Sequence, residues 1–160
     1  VSAGLKQLER LEPLKPLERL ERLKLSAGAK RLLHAARVAH LATADKSGQP
    51  HVIPICFVLD GKHFYSPIDE KPKRTTKLKR LKNIAENPNV ALVIDRYDQD
   101  WSKLAYVLIF GTARLLHSGK IYRQAVALLR RKYPKYRGMA IDERPMIVIT
   151  PKRIVRWSAH

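Results

Sequence analysis

The densest set of groups able to grip an anion lies between Phe64 and Asn89. Lys71, Lys73, Arg74, Lys77, Lys79, Arg80 and Lys82 supply seven cations, with no acid anywhere in residues 71–82. Thr75 and Thr76 sit among them, and the run follows a β-prone segment ending in Tyr65-Ser66. Hydroxyls and free N–H groups at a helix start accept phosphate well, and lysine and arginine add charge-assisted hydrogen bonds. Cations at several helical phases do not all aim at one ligand, however, so the residues alone leave open a phosphate site or a solvated basic face.

Other reactive side chains are sparse. Cys56 is the only cysteine, which rules out an intramolecular disulfide and a cysteine-based zinc site within one chain. Its apolar neighbours predict a buried, inert thiol. The six histidines show no metal-binding spacing; His51 and His63 remain as haem-ligand candidates. Trp101, in the acidic loop Asp98-Gln99-Asp100, is read as a stacking residue, a dimer-interface plug or an ordinary packed tryptophan, and Trp157 carries the same alternatives. No side chain stands out as a general acid or base.

The elements that must position these groups are mostly strands. A helix is expected around 29–36, then strands over 38–44 and 51–59, the latter apolar on both faces. Asp60-Gly61 signals a hairpin into 63–68. The second half of the basic run has helical spacing (Leu78, Leu81, Ile84, Ala85) up to Asn87-Pro88. Strands follow over 90–97 and 104–116, with Gly111 inside the second at a bulge or close backbone contact. A basic amphipathic helix over 121–133 places Arg130, Arg131 and Lys132 outward, and two strands, 146–150 and 153–158, close the chain. About seven strands and three helices indicate a mainly β (α+β) fold, an antiparallel barrel with helical decoration.

The 160 residues suit one domain over 26–160. Residues 1–25 read as a low-complexity leucine and charge extension, because leucine at every third position winds around a helix and forms no stripe. No stretch approaches the roughly 20 apolar residues of a membrane span, so a cytoplasmic protein without membrane association is expected. The net charge of +18 concentrates anions near the surface, whether nucleic acid, acidic membrane or a phosphorylated ligand, and also serves solubility alone.

An ordered set of motifs narrows these classes: His40-Leu41-Ala42-Thr43-Ala44-Asp45, Gly48-Gln49-Pro50-His51-Val52-Ile53-Pro54, Asp60-Gly61, Phe64-Tyr65-Ser66, and Asn87-Pro88 before Val90-Ala91-Leu92. Over residues 30–158 the chain resembles the pyridoxamine 5′-phosphate oxidase family of FMN-binding split β-barrels. It is most similar to the branch of FMN- or deazaflavin-dependent oxidoreductases that includes coenzyme F420 users; Arg74-Thr75-Thr76 and Asp98-Gln99-Asp100-Trp101-Ser102 resemble segments of the deazaflavin branch.

The resemblance implies a homodimer with a cofactor, coenzyme F420 or FMN, in a groove between protomers, and hydride transfer to or from a small organic substrate. It implies a cofactor-phosphate site at Ser66 and a basic pair, which is Lys79 and Arg80 counting back from Asn87-Pro88, or Lys73 and Arg74 counting forward from the strand, with Thr75 beside them. Pro54, Ile55 and Cys56 match positions that contact the ring. The substrate-binding Arg-x-His pattern of the true oxidase is absent, since the end reads Arg156-Trp157-Ser158. The excess positive charge suits the anionic tail of the deazaflavin. The rival classes are a basic nucleic-acid module, using residues 77–82 and Arg130-Arg131-Lys132, and a non-catalytic flavin or haem carrier. Few aromatics interleave these charges, so specific nucleic-acid binding is not expected.

Overall fold

The computed structural model describes residues 25–69 and 78–159. The proposed extension therefore lies outside the described residues, except for its last one, and so do Lys73, Arg74 and Thr75.

Helix α1 (Ala27–Ala35) opens the described chain, capped by the Ser26 hydroxyl, which accepts from Ala29 N–H at 3.2 Å. Strands β1 (Ala39–Ala44) and β2 (Pro50–Ile55) form a hairpin whose turn is tied by Asp45; its Oδ1 accepts from the backbone N–H groups of Ser47 and Gln49. Two further strands, β3 (Val58–Leu59) and β4 (Phe64–Pro67), pair across the Asp60-Gly61 turn, where Gly61 has φ +93°. Then follow α2 (Lys79–Glu86), β5 (Asn89–Arg96), a 3₁₀ turn at Trp101–Lys103, β6 (Ala105–Leu116), α3 (Lys120–Lys132) and β7 (Met146–Ser158).

All pairings are antiparallel, in the order β2-β1-β5-β6-β7-β4-β3. The two edge strands, β2 and β3, are joined by Cys56 and Phe57 alone. Three Cα steps reach about 11 Å, so the sheet must curl until its edges meet there. The fold is a split β-barrel of seven strands, as the sequence indicates.

Three local readings change. The 51–59 segment is not one strand: β2 stops at Ile55 because the chain crosses from one sheet edge to the other before β3 begins. Nor is β2 apolar-buried on both faces; it alternates, leaving Val52 61% exposed. The two terminal strands are one, since β7 pairs with β6 along its whole length and absorbs one extra residue: Phe110 opposes Arg153 and Gly111 opposes Pro151, leaving Lys152 bulged out. Gly111 is needed at that point, because a Cβ there would lie 2.3 Å from the Thr150 carbonyl oxygen.

The inner sheet face carries the main core, in which Leu41, Leu92, Ile94 and Ile109 pack with Leu33 of α1 and Ile84 of α2. A second cluster lies under α3, with Tyr65, Val126, Leu129, Tyr136 and Met146. Strand alternation sends the other side chains outward: Val52 on β2, Val93 on β5, Tyr106, Leu108 and Phe110 on β6, and Val155 and Trp157 on β7.

Candidate functional site

The residues singled out by sequence lie on β2 (Pro54, Ile55), on the link to β3 (Cys56), on β4 (Ser66) and on α2 (Lys79, Arg80). β3 and β4 pair with Val58 opposite Tyr65 and Leu59 opposite Phe64. Ser66 is buried on β4, opposite Ile147 of β7. Pro54 is exposed on β2 opposite His40, and Ile55 points into the core opposite Ala39. Cys56 is half-buried against the α3 cluster, less enclosed than its apolar surroundings in sequence indicate, because it lies in the gap between two strands.

Helix α2 packs on β1 and β6 and separates Lys79 from Arg80. Neighbours on a helix diverge by about 100°. The Lys79 ammonium turns toward the β1–β2 hairpin and pairs with Asp45 at 3.3 Å. Hydrogen bonds from Ser47 and Gln49, together with that contact, hold the Asp45 carboxyl well below its usual range. Arg80 turns inward instead. Burial lowers the affinity of its guanidinium for its proton, an effect opposed by the negative charge of Asp69, two residues beyond β4. Its Nε is enclosed with no hydrogen-bond partner. A half-buried guanidinium with an unused donor is a place where a ligand oxygen completes the hydrogen bonding that the protein leaves open. Of the described candidates, Arg80 is the cation left available for a phosphate.

Below it, Asn83 is fully buried and donates from Nδ2 to Thr43 Oγ1 of β1 at 3.0 Å; its Oδ1 has no partner. Sequence reading missed this pair. Asn83 is the one uncharged polar residue between Leu78 and Ile84, the one available sign that the helix buries an amide.

At the link between β2 and β3 a second group of cations surrounds Tyr133. The Tyr133 hydroxyl accepts from Phe57 N–H at 3.1 Å and lies 2.9 Å from the carbonyls of Phe57 and Arg37, to one of which it donates. Lys132 Nζ stands 4.0 Å above the Phe57 ring, while Arg37 donates to the Lys132 carbonyl at the end of α3. Lys132 is therefore not on the outer face of its helix. Arg130 is also committed, donating to the Tyr136 and Met139 carbonyls and to Asp142. The run Arg130-Arg131-Lys132 thus points three ways and offers no single phosphate-tracking surface, which weighs against the nucleic-acid reading.

Trp101 is not packed: it is 71% exposed on its 3₁₀ turn, which Asp100 caps by accepting from Ser102 N–H and Oγ–H. Trp157 lies on the outer sheet face, stacked on Tyr106 at 5.8 Å between ring centres. Near both is a cleft of about 670 Å³, lined by α1 and the ends of β5, β6 and β7, including Arg31, Arg96, Tyr106 and Trp157. His63 approaches the Tyr65 hydroxyl and Asp60 in the β3–β4 hairpin, and His51 sits opposite Thr43 in the β1–β2 ladder. Among the described residues, no three His, Cys, Asp or Glu side chains gather as a metal site, and no helix is long and apolar enough to cross a membrane.

The family and the fold recur in known proteins. The sequence profile described as pyridoxamine 5′-phosphate oxidase matches residues 25–158. A 5a,11a-dehydrotetracycline/5a,11a-dehydrooxytetracycline reductase from Streptomyces rimosus is 31% identical over 126 residues, covering 78% of this chain and 77% of the relative. Among solved structures, the haem storage protein of Vibrio cholerae superposes with a TM-score of 0.67 at 15% identity, over 84% of this chain and 94% of that one. An F420 reductase superposes with a TM-score of 0.59 at 24% identity, over 82% and 98%.

Proposed function

The chain belongs to the pyridoxamine 5′-phosphate oxidase family, and from that premise we propose that it is a homodimeric, cytoplasmic oxidoreductase working with coenzyme F420 or FMN. The observation that carries the reading is the unpartnered Nε of half-buried Arg80, at the start of α2 and on the side of the Asp69 charge beyond β4. In this reading Arg80 donates to the cofactor phosphate and Ser66 adds its hydroxyl, while Lys73, Arg74 and Thr75 remain candidates outside the described residues. Lys79 contributes field more than contact, since Asp45 already pairs with it.

Pro54 and Cys56, on either side of the core-facing Ile55 at the end of β2, are the candidates to meet the ring, with Ile55 offering its backbone. When bound, the ring supplies the hydride chemistry. The protein's residues hold it, orient it and keep water from one face. Trp101, exposed near the cleft beside α1, is the candidate to cover a bound ring or to meet the second protomer. The relative from Streptomyces rimosus, a dehydrotetracycline reductase by name, supports reduction of a small organic molecule as the reaction class.

A dimer is supported by the outer sheet face. Val52 and Trp157, with 61% and 46% exposure, share the outer face with half-exposed Leu108, Phe110 and Val155, with the Arg153 guanidinium 4.3 Å over the Phe110 ring. Exposed apolar residues grouped on one face suit an association surface.

The test is a parallel titration of the purified protein with coenzyme F420, FMN and haem, followed by fluorescence and absorption, then turnover with a dehydrotetracycline-type substrate. Tight saturable binding of F420 or FMN, with hydride transfer to substrate, is the expected result. Binding of haem alone would replace the oxidoreductase by a carrier.

A further inference from the structure

Three polar contacts stitch α2 to the β1–β2 hairpin, and all come from one side of the helix. Lys79 pairs with Asp45 at 3.3 Å, Asn83 Nδ2 donates to Thr43 Oγ1 at 3.0 Å, and Glu86 Oε2 accepts from Lys46 N–H at 3.3 Å. Positions 79, 83 and 86 fall within about 60° of one another around a helix, and Arg80 projects roughly 90° away from their centre. The rotation of α2 about its own axis therefore decides where Arg80 points.

The three contacts are unequal. The Lys79 and Glu86 contacts are exposed, and exposed pairs of this kind contribute little. Asn83 is 0% exposed and Thr43 3%. A rotation that broke their bond would leave a second Asn83 amide group unsatisfied beside the Oδ1 that already lacks a partner. Breaking a buried hydrogen bond on one side only is the costly case. Packing of Ile84 against the main core limits tilt of the helix, but apolar contact is non-directional and resists rotation weakly.

From this we infer that the buried Asn83–Thr43 hydrogen bond is a positioning element for the ligand site, fixing the rotation of α2 so that the Arg80 guanidinium faces the end of β4 and the cofactor phosphate. The inference rests on the reading of Arg80 given under the proposed function. Asn83 and Thr43 do not touch the ligand; they act through Arg80.

The test is a double-mutant cycle read as binding of FMN and of coenzyme F420, titrated in parallel on the full chain, with melting temperature recorded for every variant. Thr43→Val, which keeps shape and removes the acceptor, should weaken binding about 5- to 20-fold, and Thr43→Ser, which keeps the hydroxyl, should restore it. In an Arg80→Ala background Thr43→Val should add less than about twofold. If Thr43→Val fails to fold, Thr43→Val/Asn83→Leu, which removes both partners, is measured in its place with the same expectation. A lowered melting temperature with unchanged affinity would overturn the positioning role. An equal loss in the presence and absence of Arg80 would also overturn it. If Arg80→Ala itself binds both cofactors as the native protein does, or the native protein binds neither, the phosphate reading falls and takes this inference with it. A clear Arg80 effect with no Thr43 effect sinks the inference alone.

Discussion

Lys132 holds its ammonium 4.0 Å above the ring of Phe57, a residue with no exposed surface. The attraction of a cation for an aromatic face offsets part of the lost hydration, yet burial, together with the positive charge of Arg37, pulls the ammonium from its ordinary 10.5 down to about 8. Below pH 8 the lysine is charged in both the folded and unfolded chain, and the fold bears the full cost. Between about 8 and 10.5 the folded state has released a proton that the unfolded state keeps, so stability rises with pH across that window. Denaturant titrations at pH 7 and pH 9.5 should show this gain in the native protein and its absence in Lys132→Met. Above about pH 10.5 the trend should reverse, because burial raises the Tyr133 phenol to about 12, and the stability this brings is lost as that group ionises.

Gly111 to alanine should destabilise the protein by about 1–3 kcal/mol, the usual range for forcing atoms into a packed interior. A glycine in an ordinary strand position would give the opposite sign. The difference comes from the Thr150 carbonyl, which the added methyl would meet at 2.3 Å. Chemical denaturation measures it.

Asp60 closes the β3–β4 turn by accepting from Lys62 N–H and His63 N–H at 2.8 Å each and from the Tyr65 hydroxyl at 2.6 Å. Desolvation works against its ionised form, but the hydrogen bonds from His63, Tyr65 and Lys62 prevail and hold the carboxyl below its ordinary 3.8. A lowered carboxyl contributes stability above its ordinary value that is lost as pH falls through the folded one. Asp60→Asn should cost about 1–3 kcal/mol at pH 7 and should flatten the acid limb below pH 4, which circular dichroism would follow.

Arg80→Ala should weaken cofactor binding roughly 10- to 150-fold, the value of one charge-assisted hydrogen bond to phosphate. Lys79→Ala should cost less than about threefold, since it loses an exposed pair and a diffuse field. Arg131→Ala, which removes an exposed charge on α3, is the control for net charge; Lys132 does not serve, because it is half-buried. Equal losses across the three variants would mean that the protein's field, and not a site, holds the ligand.

Val52→Glu should shift the protein from dimer to monomer by light scattering while leaving the monomer's melting temperature nearly unchanged, because Val52 is largely exposed on an edge strand. Persistence of a full dimer would move the interface off the outer sheet face.

Much of the fold was legible in the sequence because its signals are local. Asp60-Gly61 marks a turn through the need for positive φ, Asn87-Pro88 stops a helix, and Gly111 interrupts a strand where no side chain fits. Such residues act on their own backbone, so one chain read in order reveals them, and the ordered motifs revealed the family. The break after Ile55 and the continuity of β7 were not legible. Both depend on which strands pair across the barrel, and an apolar run reads the same whether it continues along one strand or crosses between sheet edges. For the site, sequence supplied the inventory of cations and left the choice among them open. Only the tertiary structure turned Lys79 toward Asp45, half-buried Arg80 with its Nε unpartnered and folded Lys132 over Phe57. Composition counts charges, but the direction of a long side chain is set by the helix face that packing buries and by what stands opposite it, and those neighbours lie tens of residues away along the chain.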